Sequence, residues 1–179
     1  MPVRSFVMPK RSKQCGFSLI EVMASVAIIA FGMLGVFSLV VYNQKIYLST
    51  KDNFIGALLS EEGAELVRNV RDSNWLNSLP FNNGISGTFR IDTTNGIKGS
   101  IQAVSGIGDT NARLKILGGV YRHDTGDATA FARVIQIQNI DEPGGEAVDG
   151  LKITSLVQWE ERGATRQRQT VVFLYDWHQ

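Results

Sequence analysis

The sequence predicts an α+β fold in which one long N-terminal helix packs on a small antiparallel β-sheet. Three observations predict it: an uncharged apolar run near the N-terminus, an amphipathic segment that follows it without a proline, and several alternating apolar segments in the second half. The chain has 179 residues, 44% of them hydrophobic, and a net charge of +1. This length excludes a large multidomain enzyme, and the balanced charge argues against a protein built mainly to neutralise nucleic-acid phosphates.

The N-terminal region divides into a basic part and an apolar part. Its basic residues are Arg4, Lys10, Arg11 and Lys13, and no acidic residue occurs in the first 16 positions. The 20 residues 22–41 carry no charge. An α-helix of about this length crosses the roughly 30 Å hydrocarbon core of a bilayer. Because basic flanks stay in the cytoplasm, we predict a single-pass cytoplasmic membrane protein with its N-terminus inside and its C-terminal portion outside.

Three simpler kinds of N-terminal signal compete for this segment. A cleaved secretory signal has a shorter apolar region, of about 7–15 residues. A lipoprotein signal places its cysteine after the apolar region, whereas Cys15 precedes it. A plain signal anchor stays open on hydropathy alone.

Glu21 favours a more specific function for the segment. It lies at the edge of the apolar run, where an uncompensated carboxylate is costly and needs a positively charged partner. Cutting the chain after Gly16 would create a free amine at Phe17 and would remove all four basic residues of the leader. Processing at this point therefore supplies the kind of charge that Glu21 needs.

Residues 13–22, Lys-Gln-Cys-Gly-Phe-Ser-Leu-Ile-Glu-Val, resemble the class III signal of prepilins, the G-F-[ST]-L-[IV]-E motif of type IV pilins and type II secretion pseudopilins. The resemblance implies that a membrane prepilin peptidase cleaves between Gly16 and Phe17 and methylates the new amine of Phe17. It also implies that Glu21 pairs with the N-terminal amine of a neighbouring subunit during filament assembly. The expected partners are the peptidase, other pilin subunits bound through the N-terminal helix, and the inner-membrane assembly platform.

The segment after Tyr42 is amphipathic. Its apolar stripe, at spacings of three or four residues, consists of Ile55, Leu59, Gly63, Leu66 and Val70. No proline occurs from Phe17 to Leu79, which predicts one helix of roughly 55 residues with a transmembrane half and an amphipathic half. Two helices with a hinge near Asn43 or Asn53 are the alternative.

The region after Pro80 predicts β-strands. Phe89–Asp92 and Ile97–Ile101 flank an Asn95-Gly96 turn signal and predict a hairpin. The further predicted strands are Leu114–Tyr121, Phe131–Gln138, Leu151–Trp159 and Gln169–Tyr175. In the strand at 151–159, Leu151, Ile153, Val157 and Trp159 share one face, which predicts that this face covers the outer half of the helix. A turn at 161–164 pairs this strand with the last one.

A second resemblance covers the C-terminal half. Arg133-Val134-Ile135-Gln136-Ile137, then 151–159 and Gly163, resemble the R-x-I-x-I … K-I-T-V-x-V-x-W … G pattern of V-type minor pilins and I-type pseudopilins. The resulting organisation is a cleaved leader at 1–16, a transmembrane and filament-core helix at 17–42, an amphipathic outer helix at 43–79, and a β-rich exported domain at 80–179. We expect a structural minor pilin, with a type II secretion pseudopilin or an unassembled signal-anchored binding protein as alternatives.

The sequence favours no enzymatic chemistry. Cys15 is the only cysteine and leaves with the leader, so no disulfide, cysteine metal site or thiol nucleophile is expected in the mature chain. No catalytic motif accompanies the two histidines, and neither a cofactor nor a metal is expected. Acidic loops at 123–127 and 141–149 lack EF-hand spacing, so we interpret them as solvated turns rather than calcium sites.

Two further groups of residues have a structural and a binding interpretation. Arg162, Arg166 and Arg168 are basic, but Glu160 and Glu161 lie beside them, so a solvated hairpin is favoured and nucleic acid is not an expected partner. Trp75 and Trp159 are interpreted as core anchors rather than as stacking platforms.

Overall fold

The computed structural model describes residues 16–92, 101–141 and 148–176. The chain divides into two compact units, Met1–Ile46 and Tyr47–Gln179. One helix, α1 (Leu19–Leu76), contains 58 residues and contributes to both units. It continues without a break at Asn43 and Asn53, so the prediction of one helix is confirmed and the two-helix alternative is wrong.

A left-handed residue ends α1. Ser78 has a φ of 53°, and its N–H donates to the carbonyl of Trp75 at 3.0 Å. The N–H of Leu79 donates to the carbonyl of Asn74 at 2.9 Å. This pair of hydrogen bonds is the Schellman arrangement, which satisfies carbonyls that the helix leaves open, and Pro80 then prevents further helix. The helix thus ends three residues before the predicted limit at Leu79.

Among the described residues of the second unit, seven strands form one antiparallel sheet. They are β1 (Gly87–Arg90), β2 (Gln102–Ala103), β3 (Arg113–Leu117), β4 (Val120–Arg122), β5 (Asp127–Asp141), β6 (Val148–Glu161) and β7 (Ala164–Tyr175). The central strand is β5, which pairs with β6 along one side. Its other side pairs with β1 near Ile137 and with β3 near Ala132. β2 extends β1, β4 extends β3, and β7 extends β6. A long helix packed on an antiparallel sheet confirms the predicted α+β class.

The structure tests one predicted strand and one predicted turn. The predicted single strand Leu114–Tyr121 is wrong because a turn divides it into β3 and β4. Gly118 and Gly119 have φ values of 60° and 83°, which suit a two-residue hairpin turn that the sequence prediction did not recognise. The predicted turn at 161–164 is confirmed: Arg162 and Gly163 have positive φ, and Glu161 pairs with Ala164.

The first predicted hairpin is confirmed in part. Phe89 pairs with Ala103 and Arg90 with Gln102, so β1 and β2 are antiparallel neighbours as expected. The described part of the second strand is Gln102–Ala103. Residues 97–100 of the predicted strand Ile97–Ile101 lie outside the described residues. The Asn95-Gly96 turn lies outside the described residues.

The main core lies between the sheet and the part of α1 that follows Tyr47. The predicted inward face of β6 is confirmed, since Leu151, Ile153, Val157 and Trp159 are all buried. From α1, Leu59, Leu66, Val67 and Val70 pack on this side, and Ile55 is half-buried there. The opposite side of the sheet has a smaller cluster that contains Val104, Ala112 and Val134. The helix-facing side of the sheet therefore holds the main core, and the opposite side is only partly covered.

Two glycines of α1 allow the sheet to approach the helix closely. Gly56 and Gly63 are seven residues apart, two helical turns, and so share a face. A methyl group on Gly56 would lie 2.6 Å from Cζ3 of Trp159. A methyl group on Gly63 would lie 2.8 Å from Cδ1 of Ile135, 3.2 Å from Cδ of Arg133, and closer still to Oγ of Ser155. These contacts are shorter than carbon atoms tolerate, so the helix–sheet distance depends on hydrogen side chains at both positions.

We predict that Gly63→Ala destabilises the second unit although alanine favours helix. Overpacking against Ile135 and Ser155 outweighs the propensity gain of about 1 kcal/mol and lowers the free energy of unfolding by about 1–3 kcal/mol. Urea unfolding of the full chain in detergent, followed by circular dichroism and tryptophan fluorescence, measures the change. The matched control is Asn69→Ala, at an exposed position of α1, which we expect to be neutral or slightly stabilising. Equal stability of Gly63→Ala and the wild type would contradict the role of the close contact.

Candidate processing and assembly site

The predicted cleavage point lies immediately ahead of α1. Gly16, Phe17 and Ser18 precede the helix, and the Phe17 side chain is 81% exposed. The carbonyl of Ser18 accepts hydrogen bonds from the N–H groups of Glu21 at 3.0 Å and Val22 at 3.2 Å. The backbone at Gly16-Phe17 is therefore outside the helical hydrogen-bond pattern, as a peptide bond must be to enter a peptidase active site. The leader residues 1–15 lie outside the described part of the chain.

Glu21 lies in the first turn of α1 and is exposed. A negative side chain near a helix N-terminus is favourable because the unpaired N–H groups there carry partial positive charge. Its own carbonyl accepts a hydrogen bond from Oγ of Ser25 at 2.8 Å, a contact that leaves the carboxylate unused. The acid is thus on the helix surface, close in sequence to the predicted new N-terminus.

The helical part of the first unit presents apolar side chains on every side. Large residues from Leu19 to Tyr42 are exposed, including Phe31 at 75% and Ile28 at 73%. An 18-residue window of α1 has a mean hydropathy of 2.4, so α1 is long and apolar enough to cross a membrane. A soluble chain rarely exposes so much contiguous apolar surface. Lipid, or other helices of the same kind, is the environment that this surface fits.

A buried arginine connects α1 to the sheet in the second unit. Arg133 of β5 is 1% exposed. Its guanidinium donates to Oε2 of Glu62 at 2.9 Å, to the carbonyl of Leu59 at 3.3 Å and to the carbonyl of Ile91 at 3.1 Å. These bonds join the helix, β5 and the chain after β1. Sequence reasoning did not assign this role, although the alternation Phe131, Arg133, Ile135 in β5 places the arginine on the inward face.

A second buried polar pair, Asp92 and His123, lies next to Arg133. The backbone N–H of His123 donates to Oδ2 of Asp92 at 2.9 Å, and Nδ1 of the ring lies 2.9 Å from Oδ1. Nε2 lies 3.3 Å from the carbonyl of Arg133. Each ring nitrogen of His123 therefore lies within hydrogen-bond distance of an oxygen atom. Burial raises the pKa of the Asp92 carboxyl, but the hydrogen bonds and positive charge of His123 outweigh burial and hold that pKa below 3.8.

The other residues singled out in the sequence have structural surroundings. His123 and Asp124 belong to the first acidic loop. The His123 ring contacts the carboxylate of Asp92, and Oδ1 of Asp124 lies 3.4 Å from Nη2 of Arg90. Across residues 16–92, 101–141 and 148–176, no group of three or more His, Cys, Asp or Glu is placed to hold a metal. Most of the second acidic loop lies outside those ranges.

The aromatic and basic residues are likewise accounted for. Trp159 is 2% exposed and packs at 5.6 Å from the ring of Phe131, which confirms its role as a core anchor. Trp75 is half-buried, with the guanidinium of Arg71 at 4.6 Å over its ring. Nε of Arg166 lies 3.5 Å from Oε2 of Glu161. The Arg162, Arg166 and Arg168 cluster therefore has an acidic neighbour, as the sequence indicated.

The described chain thus has an exposed Gly16-Phe17 junction and an apolar helix with Glu21 in its first turn. An antiparallel sheet follows the helix. Residues 11–37 match the family model described as the prokaryotic N-terminal methylation motif, the signal of type IV prepilins. The match contains the predicted cleavage point, Glu21 and the first part of the apolar helix. Neither a curated protein nor a solved structure matches the chain significantly. The chain therefore carries a type IV pilin-like signal.

We predict that acid weakens the second unit through Asp92. Because the folded-state pKa of Asp92 lies below 3.8, its carboxylate stabilises the fold above about pH 4, and this contribution is lost as the pH falls from about 4 through the folded-state pKa. Replacing it in Asp92→Asn lowers the free energy of unfolding at pH 7 by about 1–3 kcal/mol. The difference between wild type and variant should shrink toward pH 3.

The control for this titration is Asp72→Asn. Asp72 has a half-exposed side chain and an ion pair with Arg71 on the surface of α1, so its loss should cost under about 1 kcal/mol. Urea unfolding at pH 7, 4 and 3 provides the comparison. A stability difference for Asp92→Asn that stays constant with pH would contradict the assigned pKa direction.

Proposed function

We propose that this chain is a structural minor pilin. Before assembly, the apolar helix anchors the chain in the cytoplasmic membrane. A prepilin peptidase cuts the chain between Gly16 and Phe17 and methylates Phe17. The processed chain then enters a type IV pilus-like filament on the cell surface. The observation that carries the proposal is the coincidence of the matched signal, the exposed junction ahead of α1 and the apolar helical surface behind it. The chain acts by assembly in this proposal, without catalysis.

The helix supplies the assembly interactions. Exposed apolar residues of α1 pack against equivalent helices of other subunits, the filament replacing lipid as their surroundings. The methylated amine of a neighbouring Phe17 meets Glu21, and the two opposite charges compensate one another where water is excluded. The inner-membrane assembly platform extracts the subunit from the bilayer, and the β-rich unit is exported with the C-terminal side outside.

A pseudopilin of a type II secretion system is the second candidate. The observation that favours it is again the N-terminal signal. The G-F-[ST]-L-[IV]-E pattern and the K-I-T-like strand at 151–159 resemble sequences found in both pilins and pseudopilins. The assembly that the subunit enters distinguishes the two. Incorporation into retractable surface pili supports the first, and incorporation only into the filament of a secretin-containing secretion system supports the second.

We predict that processing leaves a chain of residues 17–179 with one added methyl group. The test is intact-mass measurement of the chain extracted from membranes of cells that contain a prepilin peptidase. Gly16→Leu should keep the full length because a bulky side chain replaces the small residue before the cut. The neighbouring Cys15→Ser should be cut normally. An uncut wild-type chain would instead indicate a signal-anchored protein and would overturn the proposal.

We also predict that Glu21 acts in assembly rather than in processing. Glu21→Ala should be cut and methylated, yet its amount in sheared filaments should fall at least tenfold because the new amine loses its charged partner. Ser25→Ala, one turn further along α1, is the matched control and should assemble normally. Filament fractions and membranes are compared by immunoblot. Wild-type assembly of Glu21→Ala would show that the acid has another role.

A further inference from the structure

β7 is an outer strand of the sheet with one open side. It pairs with β6 without a register shift from Glu161↔Ala164 to Gly150↔Tyr175, and with no other strand among the described residues. In an antiparallel ladder, each residue directs its N–H and C=O to the same side, and successive residues alternate. Half of the backbone groups of β7 therefore face the open side, where only another β-strand satisfies them in a regular pattern.

The two halves of β7 differ in how well that side is protected. Proteins block open strands with charges, prolines, bulges or short length. The first half, residues 164–169, contains Arg166 and Arg168. The second half, residues 170–175, has no charge and no proline, and its pairing with β6 has no bulge. Protection is thus confined to one half of a 12-residue strand.

Side chains in the second half add apolar contact area on the partly covered face of the sheet. Val171, Phe173 and Tyr175 alternate along this face and are 41%, 53% and 54% exposed. Their neighbours Val172 and Leu174 point to the helix side and pack with its core. An added strand with apolar residues at alternate positions would cover the three exposed side chains while its backbone bonds to β7.

Charge gives the added strand a direction and a composition. Arg166 and Arg168 pair in register with Trp159 and Val157, so they lie on the helix-facing side of the first half. The Arg166 side chain is 58% exposed although its Nε lies 3.5 Å from Oε2 of Glu161, and Arg168 donates to Oδ1 of Asn53 at 3.0 Å. A strand that continues past residue 169 meets these two cations and no acid of β7 itself. Acidic residues on that side of the strand are complementary to them.

We propose that β7 binds an extended segment of another protein, which adds to the sheet as an antiparallel strand. Its apolar residues lie beside Val171, Phe173 and Tyr175, and its acidic residues lie beside Arg166 and Arg168. This is recognition by strand addition, in which backbone hydrogen bonds supply affinity and alternate side chains supply specificity. The proposal goes beyond filament assembly through α1 and does not depend on it.

The probe is a synthetic ten-residue peptide, Val-Thr-Val-Thr-Val-Thr-Thr-Glu-Thr-Glu, acetylated, amidated and fluorescently labelled. Binding to the full chain in detergent micelles is measured by fluorescence anisotropy. In antiparallel register, its valines meet the apolar half of β7 and its glutamates meet the arginines. Phe173→Lys should weaken binding at least tenfold. Gln167→Lys, on the same face in the first half, is the matched control and should not weaken it.

Two N-methylated peptides test strand addition without changing the protein. One carries N-methyl groups on its valines, and the other carries them on the alternating threonines of the same segment. Only one of these two sets of amides faces β7 in an added strand. We therefore expect one peptide to lose binding at least tenfold and the other to retain it.

Three results would overturn the proposal. The first is equal binding by Phe173→Lys and wild type when both are folded, as judged by circular dichroism. The second is that both N-methylated peptides bind alike, which indicates apolar adsorption. The third is a dimer of the full chain in sedimentation that Phe173→Lys abolishes, because β7 would then pair with a second copy. Replacing both glutamates of the peptide with lysines should reduce binding, and an unchanged affinity would contradict the assigned charge complementarity.

Discussion

The close approach of α1 to the sheet is the constraint on which the second unit depends. At Gly56 and Gly63, side chains of the sheet occupy the space where other residues carry a Cβ atom. That proximity lets Trp159 fill the space beside Gly56 and lets Arg133 reach the carbonyl of Leu59 within the helix. Each glycine costs about 1 kcal/mol of helix propensity relative to alanine. The packing that they permit compensates this cost.

The buried charges follow from the same geometry. A guanidinium with 1% exposure needs acceptors for its donors, and Nη1 and Nη2 of Arg133 find them on the helix and on the chain after β1. Its Nε has no acceptor among the described residues. The pair of Asp92 and His123 is linked to Arg133, because Nε2 of His123 lies 3.3 Å from the carbonyl oxygen of Arg133. The two charged groups therefore join α1, β5 and the segments around β1 and β4. Losing the Arg133 guanidinium would remove the hydrogen bonds that it donates to Glu62, Leu59 and Ile91.

Much of the fold was predictable because it depends on periodicity. The three-to-four spacing of Leu59, Leu66 and Val70 and the alternation in 151–159 identified the inward faces of helix and sheet. The Gly118-Gly119 turn was missed because the apolar residues on both sides of it read as one strand. The junction at Gly16 and Phe17 was also visible in sequence, since a motif specifies it locally. Contacts between distant positions, such as Asp92 with His123 or Gly63 with Ser155, leave no local pattern and required the fold.

The central position of β5 has a consequence for how this sequence can change over evolutionary time. β1, β3 and β6 all take their register from one strand, so many apolar residues can replace one another on its inward face as long as alternation persists. In the proposed function, a shared processing enzyme recognises particular side chains of the N-terminal signal, which therefore has less freedom to change. Divergence should therefore erase similarity in the sheet long before it erases the signal. A family match at residues 11–37, within the signal, agrees with such unequal constraint.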